Sequence, residues 1–235
     1  MARACMHCGS AVTRVCHGPR PVGRDGVGDA HPHPHCDRLL CVSVIGEPLV
    51  ERIAALVAGR SAPLVVALDG RSGAGKSTLA TAVAARLDAT VVEGDDFYAG
   101  GTGEQWDVMT AAEKVEHVID WRSQRPVLEA LRRGQATDYH PYDWDGDIDG
   151  PAAHVVTVEP AHVVILDGAY SARPELADLL DLRVLLDVPA EVRRAQLLAR
   201  EGDEYRAVWE ARWTEAEEWY FRTVMPPEAF HLILR

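Results

Sequence analysis

The chain has 235 residues, 47% of them hydrophobic and 26% charged, enough for one well-buried core. Its formal charge of -12 and pI near 5.2 repel nucleic acid and anionic membrane, and neither is expected as a partner. No apolar run approaches the roughly 20 residues that span a bilayer, and the first residues lack the apolar stretch of a secretory signal, so a cytoplasmic location is expected.

Residues 1–45 hold all five cysteines, with Gly, Pro and the run His31-Pro-His-Pro-His35, and read as an extension without a core of its own. Cys5-Met-His-Cys8 has the gap of half a zinc knuckle, but the spacing to Cys16, Cys36 and Cys41 fits no standard pairing. Residues 46–235 read as the catalytic domain. From Glu47 the pattern turns helical, with Leu49, Ile53, Leu56 and Val57 on one face and Gly59 as the stop.

Strands then alternate with helices. Buried strands are expected at 64–68, 90–92, 162–166 and 182–186 with a last one near 230–234, and helices at 77–87, 111–133, 173–180, 190–200 and 204–222. That alternation predicts an α/β fold with a parallel central sheet covered on both faces.

Gly70-Arg71-Ser72-Gly73-Ala74-Gly75-Lys76-Ser77 satisfies G-x-x-x-x-G-K-[ST] between an apolar strand and a helix. Its amides can wrap phosphate at a helix N-terminus. Lys76 would neutralise β- and γ-phosphates and the Ser77 hydroxyl would hold Mg²⁺, so ATP and Mg²⁺ are the expected cofactors, with Thr78 completing the nucleotide site. A second metal ligand is expected at the end of another buried strand, where Asp167 follows Val163 to Leu166. Glu93-Gly94-Asp95-Asp96-Phe97-Tyr98 follows the strand Thr90 to Val92. A carboxylate placed there can take the proton of an attacking hydroxyl.

The phosphate loop, the Asp95-Asp96-Phe97-Tyr98 run, the later Tyr139-His140-Pro141-Tyr142-Asp143-Trp144 and Ile165-Leu166-Asp167-Gly168 together resemble the uridine kinase and phosphoribulokinase family of P-loop kinases, over roughly residues 60–235. The resemblance implies a P-loop NTPase three-layer fold with a helical lid, and an ATP-dependent kinase acting on a small-molecule hydroxyl, most readily a nucleoside's. It makes Asp95 the catalytic base, gives Asp96, Phe97 and Tyr98 to the acceptor pocket, and matches Tyr142 and Asp143 to a pair that helps hold the nucleoside. The family usually carries Glu where Asp167 stands, and its His after the Tyr-Asp pair is missing from Trp144-Asp145-Gly146-Asp147. Asp120-Trp121-Arg122 corresponds to a segment that faces the acceptor, though Trp121 also suits a core.

The stretch from Arg193-Arg194 through Arg200, Arg206 and Arg212 falls where the family has its lid. Arg200 is the preferred catalytic arginine and Arg194 the second, against an exposed face of intrahelical ion pairs. Tyr205, Trp209, Trp213 and Tyr220 form a helical stripe read as core. Asp145, Asp147 and Asp149 imitate a calcium loop in spacing, but Val156 stands where its last Glu belongs. Two alternatives stay open: a nucleotide-dependent regulatory ATPase or switch, and a kinase for a vitamin, sugar or antibiotic. The sequence leaves the oligomeric state unread.

Overall fold

The computed structural model describes residues 34–144, 149–201 and 203–235. The cysteine pair Cys5/Cys8, Cys16, Asp145 and Asp147 lie outside them. The side chains of Cys36, Cys41, Tyr205, Arg206 and Trp209 also lie outside the described ones.

A first helix, α1 (Pro34–Val57), runs across the boundary expected at residue 45 and buries Leu49 and Ile53. It ends before Gly59, whose φ of 80 suits glycine. Strand β1 (Leu64–Asp69) is buried along its whole length and feeds the phosphate loop, after which α2 (Lys76–Leu87) and β2 (Thr90–Glu93) complete the first unit. Then follow a 3-10 turn over Gly94–Phe97 and helices α3 (Gly103–Asp107), α4 (Ala111–His117) and α5 (Trp121–Arg132).

The single helix expected over 111–133 is therefore two. Between them Ile119 bridges to Tyr98, Asp120 N–H donates to Phe97 O at 2.8 Å, and the Asp120 carboxylate caps α5 by accepting from Arg122 and Ser123 N–H. A short helix-breaking tether of this kind outweighs propensity. The hairpin β3 (Thr137–Tyr139) with β4 (Val156–Val158) was not anticipated.

Strand β5 (Val163–Asp167) leads not to the helix expected at 173–180 but to a short 3-10 turn at Pro174–Leu176, after which an irregular segment reaches β6 (Leu182–Leu186). Helices α6 (Ala190–Glu201) and α7 (Asp203–Trp219), a π-turn at Tyr220–Val224 and β7 (Leu232–Leu234) close the chain.

The main sheet has the order β2-β5-β1-β6-β7, and every pairing is parallel. Alternate residues of its strands serve two cores. Leu64, Val66, Leu68, Ile165 and Val184 pack with α1 and α2, while Val65, Ala67, Val164, Leu166 and Leu185 pack with Val115, Leu128, Trp213 and Tyr220 of the opposite layer. That is the predicted three-layer α/β sandwich. Because β1 and β5 are neighbours, and the crossover after β1 runs to β2 on one side while that after β5 runs to β6 on the other, their carboxyl ends open at a topological switch point, where ligands bind in such sheets. Among the described residues no helix is long and apolar enough to cross a membrane.

Candidate functional site

The loop after β1 folds as its glycines require. Gly73 has φ 76 and Gly75 φ 91, and a Cβ on Gly73 would stand 2.6 Å from Arg193 O. Helix α2 starts on Gly75 with no side-chain cap and no acidic residue in its first turn. Its N–H groups therefore point, with the positive end of the helix dipole, at the loop interior. Lys76 Nζ reaches into the same space, donating to Gly70 O at 2.8 Å and Arg71 O at 3.3 Å. Of the two lysines in the chain, the other, Lys114, is buried and fastens α4 to α7 through Arg212 O at 2.9 Å.

Asp167 ends β5 beside the loop. It is buried, the Ser77 hydroxyl lies close enough to pull its pKa down, and its Oδ1 has no partner. Burial raises its pKa to about 7, Lys76 and Ser77 pull it down, and Asp95 and Glu93 push it up. An orphaned carboxylate oxygen beside a serine hydroxyl is the donor set a divalent cation would complete. Among the described residues no group of three His, Cys, Asp or Glu gathers for a metal. Mg²⁺, which keeps waters and phosphate oxygens as ligands, needs only one or two protein groups.

Asp95 stands close to Asp167 because β2 pairs with β5 in the register Glu93↔Asp167, and the next residue is Gly94. Asp95 is exposed at the mouth of the site. Asp96 accepts from the Tyr139 hydroxyl at 2.7 Å, and its backbone oxygen accepts from Tyr142 N–H at 2.7 Å. Phe97 is buried and stacks on Tyr139 at 4.7 Å. Tyr98 stacks on Trp144 at 5.0 Å and meets Tyr142 edge-on at 4.9 Å. Thus the 95–98 and 139–144 segments, distant in sequence, form one aromatic wall beside the acid-bearing strand ends.

Within that wall several groups are already engaged. Tyr142 donates its hydroxyl to Asp149 at 2.8 Å, and the other oxygen of Asp149 takes Gly101 N–H at 2.7 Å. Asp143 N–H donates to Gly150 O at 2.9 Å. The Asp120 carboxylate is occupied in capping α5.

The two preferred arginines lie on α6. Arg200 is exposed in the last turn of α6, and Arg194 pairs with Glu210 at 3.2 Å. It is Arg193 whose guanidinium touches the loop, donating to Ser72 O at 3.3 Å and to Val188 O at 3.1 Å. The charge pattern Arg193-Arg194 was legible, but which of two neighbours turns inward depends on where α6 begins.

Sequence reasoning also missed Asp69. Fully buried, it accepts from Gly70 N–H at 2.8 Å, Tyr170 N–H at 3.1 Å, Ala172 N–H at 3.0 Å and the Tyr220 hydroxyl at 2.8 Å. Burial still raises its pKa. An Asp immediately before the first loop glycine was the available signal.

Residues 65–210 match the model of the Phosphoribulokinase / Uridine kinase family. The chain is 30% identical over 155 residues to a uridine kinase of Deinococcus deserti, covering 62% of this chain and 72% of that protein. It is 28% identical over 150 residues to a uridine kinase of Leuconostoc citreum, covering 60% and 70%. Its fold is similar to a solved structure described as a "Possible Uridine Kinase" from Bacillus stearothermophilus, with TM-score 0.62, 20% identity and coverage of 83% of this chain and 99% of that one. A D-glycerate 3-kinase from Cryptococcus neoformans shares it at TM-score 0.52 and 16% identity, over 72% and 87%. With strand-loop-helix geometry and family match in agreement, the chain belongs to the phosphoribulokinase and uridine kinase family, as a nucleotide-binding P-loop phosphotransferase with a hydroxyl acceptor.

Proposed function

We propose that this protein binds ATP with Mg²⁺ and transfers the γ-phosphoryl group to a hydroxyl of a small molecule, a nucleoside in first place. The observation that carries the reading is the convergence of Lys76, the Ser77–Asp167 pair and Asp95 at the carboxyl ends of β1, β5 and β2. The residues Gly70 to Thr78 cradle the phosphates, and Lys76 leaves its two carbonyls to meet the β- and γ-oxygens. Ser77 and Asp167 would hold Mg²⁺, which when bound supplies positive charge to the β- and γ-phosphates. Asp95, exposed to the acceptor side, orients the attacking hydroxyl and takes its proton. Asp96 serves by holding Tyr139. Phe97, Tyr98 and Tyr142 line the acceptor side as the aromatic wall, which is suited to a planar ring, with the Asp143 carboxylate beside them. Arg200 remains the expected lid cation.

The nucleoside is supported by the uridine kinases among the relatives, and a sugar-acid acceptor by the glycerate kinase fold. ADP release should be followed with Mg²⁺ and ATP across nucleosides, sugars, sugar acids and vitamins, with Lys76→Ala as the blank. Turnover dependent on a nucleoside supports the whole reading. Turnover with another acceptor keeps the kinase and replaces the substrate, and hydrolysis indifferent to every acceptor favours a regulatory ATPase.

A further inference from the structure

Ser72, third residue of the phosphate loop, is gripped from two helices at once. From α7, the Glu217 carboxylate accepts both the Ser72 N–H at 2.9 Å and the Ser72 hydroxyl at 2.5 Å through one oxygen. From α6, Arg193 donates to the carbonyl oxygen of the same residue at 3.3 Å. The neighbouring contacts follow suit. Glu218 holds Arg71 through two bonds at 2.9 and 3.1 Å, and the Arg71 guanidinium lies 4.6 Å from the centre of the Phe221 ring.

Glu217 is only 7% exposed, so its charge is little screened by water. A carboxylate buried beside a triphosphate site weakens anion binding unless it does something that an apolar side chain cannot. Packing alone would be met by Met or Leu. What only an acceptor can do here is bind two donors of Ser72, and that takes Ser72 N–H out of the set of amides turned towards phosphate. Burial lowers the pKa of Arg193, and Glu217 works against that by favouring its cation, so the two charges partly offset one another.

Resting on the kinase reading above, we propose that Glu217 and Arg193 are positioning residues: they fix the Ser72 peptide between them and thereby hold the phosphate loop in the shape that ATP binds. Neither touches the transferred group.

The experiment compares two near-isosteric variants of the full chain, Glu217→Gln and Glu217→Met, by calorimetric titration with ATP and Mg²⁺ and by thermal melting. Gln keeps an oxygen where Ser72 needs one; Met keeps the bulk and loses the acceptor. The expected result is ATP binding within about threefold of wild type for Gln and weakened about tenfold or more for Met, the scale of losing charge-assisted bonds. Met binding ATP as wild type, or Gln and Met failing equally, overturns the proposal. Should the Met variant not fold, Arg193→Lys and Arg193→Met replace it: ATP affinity within about threefold of wild type for Lys and weakened about tenfold for Met supports the idea, and wild-type affinity for Met, or equal failure of both, overturns it. A wild-type protein that binds no ATP overturns the kinase reading and the clamp together. Wild-type ATP binding lost in Lys76→Ala but indifferent to Glu217→Met overturns the clamp alone.

Discussion

A Cβ placed on Gly94 would stand 2.7 Å from the carbonyl oxygen of Asp167 and 3.3 Å from the Cα of Gly168. The two acid-bearing strand ends thus touch through bare backbone. Any side chain at 94 must push β2 and β5 apart where Asp95 and Asp167 face one another. Gly94→Ala should lose about 1–3 kcal/mol of stability, the usual cost of overfilling a packed contact. Urea unfolding checks it, and a variant as stable as wild type would mean that the strands separate freely.

Asp95→Asn keeps size and polarity and removes only the ability to take a proton. Transfer should fall by about 10²–10⁴-fold with ATP affinity within a few fold of wild type. Rapid-quench turnover alongside ATP titration tells the two apart, and full turnover would remove Asp95 from the chemistry.

If Asp167 holds Mg²⁺ as proposed, it couples metal binding to pH. With its pKa raised from 3.8 to about 7, the folded chain holds a proton between these limits that the unfolded chain has lost, so this group subtracts stability as pH rises through that window. The subtraction is complete above pH 7. A cation on the carboxylate reverses the preference, so Mg²⁺-dependent ATP binding should strengthen as pH rises towards 7 and release a proton below it. Melting curves without nucleotide, taken from pH 5 to 8, should fall less steeply for Asp167→Asn than for wild type. Parallel curves would count against the raised pKa.

Tyr220→Phe removes one of the four donors that satisfy Asp69 and keeps the buried ring. A buried carboxylate stripped of a donor costs about 1–3 kcal/mol, visible as a lower melting temperature. ATP affinity should also drop, because the same carboxylate anchors Gly70 N–H. Loss of stability with no change in ATP affinity would confine Asp69 to the core.

The order of apolar strands and the glycine spacing of the loop were readable because both are local: a run buried on both faces and an octapeptide carry their own periodicity and backbone demands. The place of Asp167 at the end of such a run was readable for the same reason, whereas Asp95 lies just beyond β2, in the turn that follows it. What escaped depends on tertiary placement. The break between α4 and α5 comes from Asp120 turning back to cap, driven by a bridge from Ile119 to Tyr98 that sequence spacing does not express. Tyr142 was expected at the acceptor on the strength of a motif, yet where its hydroxyl goes is decided by Asp149, further along the same loop between β3 and β4. Glu217 looked like one acid among many on α7; only the docking of that helix against Ser72 distinguishes it.

Helix α2 begins without a side-chain cap. Its leading amides are left for a ligand to complete, so the nucleotide is in effect the missing first residue of the helix. Polyphosphate binding should therefore act as a folding cofactor as well as a reaction step: pyrophosphate alone, with nothing to transfer, ought to tighten the first turn of α2 and raise the melting temperature as its concentration climbs past saturation. A ligand that fills this loop then adds to the stability of the whole fold in proportion to how tightly it binds.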